Sequence, residues 1–365
     1  MKNFYYILSW VGLAGICSLS PVSGHGQTSL KAKLQAVMAS EPTFSGVVLV
    51  AKNGRTLFHQ AYGTRDINTG ESLRRDDIFE LASVSKQFTA SIIIGLQEDG
   101  QLSYDDPVEK YVDIPYPGIR IRHLLNHTSG LPDYQAVMDK YWDKSKVAGN
   151  PDILAYLKRY APPALFKPGE RFEYSNTGYV VLASIAEAIT GMDFIELCRS
   201  RIFKAAGMHG ADIRTNEVKN KLSRFARGHV WVESRQRLVR ADSFPSSDYT
   251  IWLGNRKGPG RVSARAKDLL AWDRALQEAK LQGTKSGTEA WRSGVLNDGT
   301  ATGYGFGWFL SKSAKGERVI WHDGDNPGYK TMFRRYPERG HTIIVLSNNY
   351  PAGFDRLIQR LEAAL

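Results

Sequence analysis

Apolar residues fall into two rhythms along this chain, and the rhythm changes twice. Leu30, Leu34 and Val37 recur at helical spacing, which predicts a first helix over Ser29–Met38. Phe44 to Ala51 is a β-branched, apolar run. Asn53-Gly54 follows, then a second run from Thr56 to Tyr62. Two strand-like runs around an Asn-Gly turn predict a hairpin. From Ser83 to about Lys280 the spacing is mostly helical. Helices are predicted over Lys86–Glu98, Asp152–Tyr160, Thr177–Thr190 and Ala266–Ala279, and Phe194–Phe203 has the same pattern. Asp105-Asp106-Pro107, Pro162-Pro163 and Pro168-Gly169 interrupt this stretch. After Gly303 short β-rich runs return at Tyr304–Leu310, Arg318–His322, Tyr329–Arg335 and Thr342–Leu346, with turns at Lys315-Gly316, Asp323-Gly324 and Arg339-Gly340. A last helix is predicted from about Phe354 to Ala364.

Helix, hairpin, long helical insert, antiparallel strands and helix, in that order, predict an α+β fold. Its antiparallel sheet is flanked by the N- and C-terminal helices, and the insert makes a mostly helical second lobe. The expected boundaries are 27–82 and 265–365 for the α/β lobe and 83–264 for the helical lobe. A site is expected in the cleft between them. The stretch from Trp231 to Pro259 reads as a long loop, of the kind that often carries function.

The first 26 residues change the picture of where the chain works. Lys2 precedes a mostly apolar run from Phe4 to Ile16, and small residues follow at Ser23, Gly24 and Gly26. This predicts a cleaved export signal over 1–26, a mature chain of 27–365, and a periplasmic or secreted protein that meets the membrane only through that signal. Ile16 is too large for a lipidation site at Cys17. Cleavage removes Cys17 and leaves Cys198 alone, so no intrachain disulfide is expected. The formal net charge is +11. Its basic excess, clustered from Arg199 to Arg240, reads as a solvated face, with an anionic polymer as the alternative. No zinc-finger or ribonucleoprotein motif accompanies it, so no nucleic acid partner is expected.

The candidate chemistry begins at Ser83-Val84-Ser85-Lys86, where an apolar approach meets a helical run. A serine and a lysine three positions apart share one helix face. The helix N-terminus favours negative charge on the serine oxygen, so a hydroxyl here becomes nucleophilic without a histidine. A lone S-x-x-K arises about once by chance in a chain of this length and also reads as a cap with a solvated lysine. Tyr174-Ser175-Asn176 lies after a Pro-Gly turn and before a helix, where a phenol can share a proton with Lys86. His322-Asp323-Gly324 ends a strand, and its glycine is expected to let a substrate backbone approach. Leu124-Leu125-Asn126-His127-Thr128-Ser129-Gly130-Leu131-Pro132 has no compositional explanation, and its periodicity suggests only a helix ended by glycine. Lys285-Ser286-Gly287 and Lys330-Thr331 are read as decoys. No G-x-S-x-G elbow or H-E-x-x-H is present.

In this order and with these flanks, Ser-x-x-Lys, Tyr-x-Asn, His-x-Gly and the His-Thr-Ser-Gly-Leu-Pro loop resemble the serine β-lactamase and penicillin-binding superfamily, on its class C side. D-alanyl-D-alanine carboxypeptidases, D-aminopeptidases and β-lactamase-like esterases belong there. The resemblance runs from about Phe44 to the C-terminus. It implies that Ser83 is the nucleophile and that Lys86 and Tyr174 together accept its proton. It implies that Asn176 bonds Lys86 or a substrate amide, and that His322 stands where other members carry lysine. Gly324 would keep a strand edge open, and the N–H groups of Ser83 and Asp325 would form an oxyanion hole. No metal or organic cofactor is implied.

Two departures bear on the substrate. A histidine at 322 is usually neutral near pH 7. A carboxylate at 325, about 4 Å from an oxyanion, costs up to about 4 kcal/mol at moderate dielectric, so its side chain should turn away, toward Lys330 or an arginine. Both lower the expectation of an efficient β-lactamase. The expected function is an exported serine hydrolase acting through an acyl-enzyme on a small ester, amide or peptide bond. The alternatives are a cell-wall D,D-carboxypeptidase or D-aminopeptidase acting on peptidoglycan-derived substrate, a weak class C-like β-lactamase, and a non-catalytic protein that binds wall fragments or penicillin. Oligomeric state is left open by the sequence.

Overall fold

A computed structural model of the chain describes residues 29–279, 281 and 287–365. The predicted export signal, Cys17, and Lys285-Ser286 of one decoy lie outside the described residues. Six antiparallel strands form the main sheet: β1 (Gly46–Lys52), β2 (Arg55–Tyr62), β3 (Phe309–Lys312), β4 (Arg318–Asn326), β5 (Tyr329–Tyr336) and β6 (His341–Ser347). Their order is β3-β4-β5-β6-β1-β2, so the late strands join the early hairpin through the β1–β6 pair, with Gly46 opposite Ser347.

The two-residue alternation of β1 and β6 assigns their faces. Val48, Val50, Ile343 and Val345 face α1 (Leu30–Ala39) and α6 (Phe354–Ala364), meeting Leu34, Met38, Leu357 and Leu361. Val47, Leu49, Ile344 and Leu346 face the other way. There they share one buried cluster with Phe88, Ile92 and Ile93 of α2 (Lys86–Glu98), Tyr179 and Leu182 of α4 (Asn176–Thr190), and Leu269 and Trp272 of α5 (Ala266–Glu278). Between α2 and α4 lies α3 (Tyr134–Tyr141), which the sequence pattern did not predict. Its buried Tyr134, Val137 and Met138 pack with Trp252 and Leu253.

Four local expectations differ from the structure. Only Phe309–Lys312 of the Tyr304–Leu310 run is strand. Gly305 lies so close to the Ala290 carbonyl that a Cβ would sit 2.0 Å from its oxygen, and the segment before Phe309 follows that surface instead of a ladder. The 194–203 pattern begins as an α-turn and widens into a π-helix over Cys198–Phe203. The helix before the His-Thr-Ser-Gly loop stops at Leu125, well short of Gly130. The 231–259 stretch is not structureless, since His229–Val232 and Arg237–Arg240 pair as a hairpin and a short helix covers Tyr249–Trp252. Much of the positive charge from Arg199 to Arg240 is met locally, by Asp212, Asp99, Glu80, Asp77 and Asp66.

Candidate active site

Ser83 lies in a tight 3₁₀ turn, Ala82–Ser85, that runs directly into α2. Ala82 takes a left-handed φ of 47°. That conformation costs an alanine about 1–2 kcal/mol, and it sets the direction of the next side chain. The turn is held from below. Thr331 Oγ1 of β5 donates to the Leu81 carbonyl at 2.9 Å, and Leu81 N–H donates to the Val262 carbonyl at 2.8 Å. Gly324 of β4 presses on the same place. A Cβ there would stand 2.2 Å from the Leu81 oxygen and 2.3 Å from Thr331 Oγ1. The glycine therefore accommodates the protein's own serine turn.

Lys86 is fully buried, one turn after Ser83. Its Nζ is 3.0 Å from Ser83 Oγ, 2.8 Å from Asn176 Oδ1 and 2.9 Å from the Pro259 carbonyl. Burial pushes its pKa well below the usual lysine range. Repulsion from Arg256 adds to this and Asp323 opposes it. The three neighbours satisfy either protonation state. An ammonium donates to all three, whereas a neutral amine donates to Asn176 and Pro259 and accepts the Ser83 proton. The Tyr174 ring, 4.7 Å from Nζ, favours the cation. A cation–π contact contributes about 2 kcal/mol in desolvated surroundings, against the several kcal/mol lost on burying an ammonium.

Tyr174 is buried. Its hydroxyl has no partner in hydrogen-bond geometry among the described residues. Burial raises its pKa well above the ordinary phenol value, and the neighbouring Ser83 side chain pulls it only partway back. The phenol therefore keeps its proton at neutral pH. Its loop is positioned by a histidine the sequence left unexplained. His127 has a left-handed φ of 60° and is fully buried. Its Nδ1 accepts from Ser175 N–H at 3.0 Å, its carbonyl accepts from Glu173 N–H at 2.9 Å, and its ring lies 4.3 Å from that of Tyr174. Gly130, at φ 72°, brings the same loop against the Phe166 carbonyl. The His-Thr-Ser-Gly-Leu-Pro segment is thus a clamp on Tyr174-Ser175-Asn176.

His322 is buried and its ring centroid is 6.0 Å from that of Tyr174. Nδ1 lies 2.5 Å from the Asp323 carbonyl and Nε2 lies 3.0 Å from the Tyr304 hydroxyl. Those partners fix the tautomer with the proton on Nδ1, and Tyr304 donates to Nε2. Burial, with repulsion from Lys86, lowers its pKa to about 4. It adds shape to the wall and no charge. The Asp325 carboxylate turns to Lys330, 3.3 Å away, which also pairs with Asp323 at 3.0 Å.

A cavity of about 70 Å³ opens at Ser83, bounded also by Gln135, Asn176, Tyr249, Arg256 and Asp325. The site thus brings together Ser83, Lys86, Tyr174 and Asn176, with His322, Gly324 and Asp325 along one side. Sequence reasoning did not single out the Pro259 carbonyl, the Tyr304 hydroxyl or Arg256, and no local motif marks them. Among the described residues no cluster of three metal-ligating side chains occurs.

A family profile described as beta-lactamase matches residues 30–365. The chain belongs to the β-lactamase family. Penicillin-binding protein 4* of Bacillus subtilis (strain 168) is 38% identical to it over 307 residues, covering 84% of this chain and 68% of that protein. A D-aminopeptidase of Brucella anthropi is 29% identical over 328 residues, covering 87% of this chain but only 58% of that protein. The penicillin binding protein from Bacillus halodurans superposes with a TM-score of 0.78 at 25% identity, over 91% of this chain and 99% of that structure. This β-lactamase-family protein is a serine hydrolase with the mixed helical and antiparallel fold of its relatives.

Proposed function

We propose that Ser83 is the nucleophile and forms an acyl-enzyme on an ester, amide or peptide bond. The observation that carries this is the buried Lys86 amine, 3.0 Å from Ser83 Oγ and held by Asn176 and Pro259. The neutral amine takes the Ser83 proton as Oγ attacks the carbonyl carbon. The developing oxyanion meets the N–H groups of Ser83 and Asp325. Asn326 stands opposite Tyr329 across the Pro327-Gly328 turn, so antiparallel alternation turns the Asp325 N–H away from β5, toward the open side. The Tyr174 phenol, its hydroxyl buried beside Ser83, passes the proton on to the leaving group. Water then repeats the sequence from the other side, with Lys86 as its base, and releases the acid. No step requires a metal or organic cofactor.

The substrate class follows from the relatives and from the cavity: a small ester or amide, with D-amino acid amides and peptidoglycan-derived peptides as the biological candidates. The N-terminal segment supports action outside the cytoplasm, in the periplasm or beyond. The test is a fluorophosphonate and a 4-nitrophenyl ester. Wild type should carry one adduct on the Ser83 peptide and turn the ester over, and Ser83→Ala should lose on the order of 10³-fold or more in kcat. An unlabelled Ser83 peptide, with equal turnover by the alanine variant, overturns the reading.

A further inference from the structure

Arg256 occupies the wall of the Ser83 cavity with too few partners. It is 7% exposed. Its Nη1 donates to the Tyr134 hydroxyl at 2.6 Å, and its Nε has no hydrogen-bond partner among the described residues. The buried carboxylate whose charge acts on it is already engaged. Glu80 accepts from Lys219 at 2.9 Å, Arg261 at 3.3 Å and Asn326 at 3.2 Å. Asp325, on the cavity rim, is turned to Lys330. Three cations, Lys219, Arg256 and Arg261, thus stand around one interior carboxylate, and no ion pair to Arg256 occurs among the described residues. A buried guanidinium without a counter-ion is costly, and its planar fork matches a carboxylate.

We propose that Arg256 is a specificity residue that receives a carboxylate on the acyl portion of the substrate. This rests on the acyl-enzyme reading above, because the acyl group is what must remain beside Ser83 until water arrives. At roughly 10–15 Å³ per enclosed water on this measure, a 70 Å³ cavity holds a carboxylate with a short methylene stem. The class is therefore a short dicarboxylic acid, or an acidic amino acid, esterified or amidated at one end. Arg256 supplies the positive charge that His322 and Asp325 do not, and it comes from a segment with no motif.

The experiment compares mono-4-nitrophenyl glutarate with 4-nitrophenyl pentanoate, which have the same leaving group and chain length. Wild type should favour the glutarate at least 10-fold in kcat/KM. In Arg256→Gln the preference should fall to about one or invert, whatever happens to the rate on the neutral ester, and Arg256→Lys should keep part of it. Equal rates on the two esters in wild type overturn the proposal, as does an unchanged preference in folded Arg256→Gln. Calorimetric binding of glutarate monoamide and pentanamide to Ser83→Ala needs no turnover. A preference for the anion there upholds the Arg256 role even if no ester is hydrolysed, a result that would count against the acyl-enzyme reading alone. No preference in binding overturns the Arg256 role.

Discussion

Lys86 shows how one residue carries the reactivity. Its three partners serve either protonation state, so burial and the Arg256 charge decide between them. Because its folded pKa is lowered, the neutral amine persists to lower pH than in a free lysine. The acid limb of kcat/KM should therefore lie well below pH 10. Arg256→Gln removes repulsion on the ammonium, so that limb should move to higher pH on a neutral ester. A pH–rate profile checks both statements, and a limb that stays put or moves to lower pH contradicts them. His127 acts at one remove, through Ser175 N–H and the Tyr174 ring. His127→Ala should lower kcat by on the order of 10²-fold, the typical cost of misplacing a reacting group by about an ångström, with a smaller change in KM. Equal losses in binding and turnover, or no loss, would contradict a positioning role. Ser83, Lys86, Tyr174 and Asn176 were legible as sequence because each belongs to a short motif. Pro259 was not, because a backbone carbonyl leaves no trace in residue type, and Arg256 was not, because its importance lies in the partners it lacks.

At the scale of elements, periodicity was most reliable where both faces of a helix see a consistent environment. The predicted Lys86–Glu98 and Phe354–Ala364 coincide with α2 and α6. It failed at Tyr304, where a glycine-rich approach to the Ala290 carbonyl overrides β propensity, and at α3, where buried tyrosine and methionine sit among polar residues. The contact between β4 and the serine turn was not legible, since residue type does not tell which backbone a glycine makes room for. Gly324→Ala tests the structural answer. A methyl 2.2 Å from the Leu81 oxygen forces strand and turn apart. Overpacking of this kind costs about 1–3 kcal/mol, so the melting temperature should drop by several degrees and Ser83 labelling should slow more than 10-fold. A variant with unchanged melting and labelling would show that β4 does not support the turn.

For the whole molecule, histidines held neutral by their surroundings set the acid limit. His59, His123 and His322 each have a pKa lowered to about 4, mainly by burial. The unfolded chain binds their protons near pH 6.5 and the folded chain near 4, so stability is complete above about 6.5 and is lost as pH falls between these values. A tenfold difference in proton affinity between the folded and unfolded chain corresponds to about 1.4 kcal/mol for a fully buried group, less for the partly exposed ones. The melting temperature should decline progressively from pH 7 to pH 4, and a flat profile would contradict these environments. The order of rhythms along the chain made the sheet-and-helix architecture legible, while the convergence of segments near residues 83, 174, 259 and 322 is a property of the closed fold alone. One feature of that fold reaches beyond chemistry. Strand β3 pairs with β4 only from Arg318 to Trp321, and among the described residues no strand flanks the rest of that edge of β4, beside the serine. Such a ledge invites any extended chain, a neighbouring molecule included. Asp323 and Asp325 stud it with charge, beside Lys330 of β5, so the carboxylate that looked like a handicap to catalysis is also of the kind that discourages edge-to-edge pairing between copies of a chain.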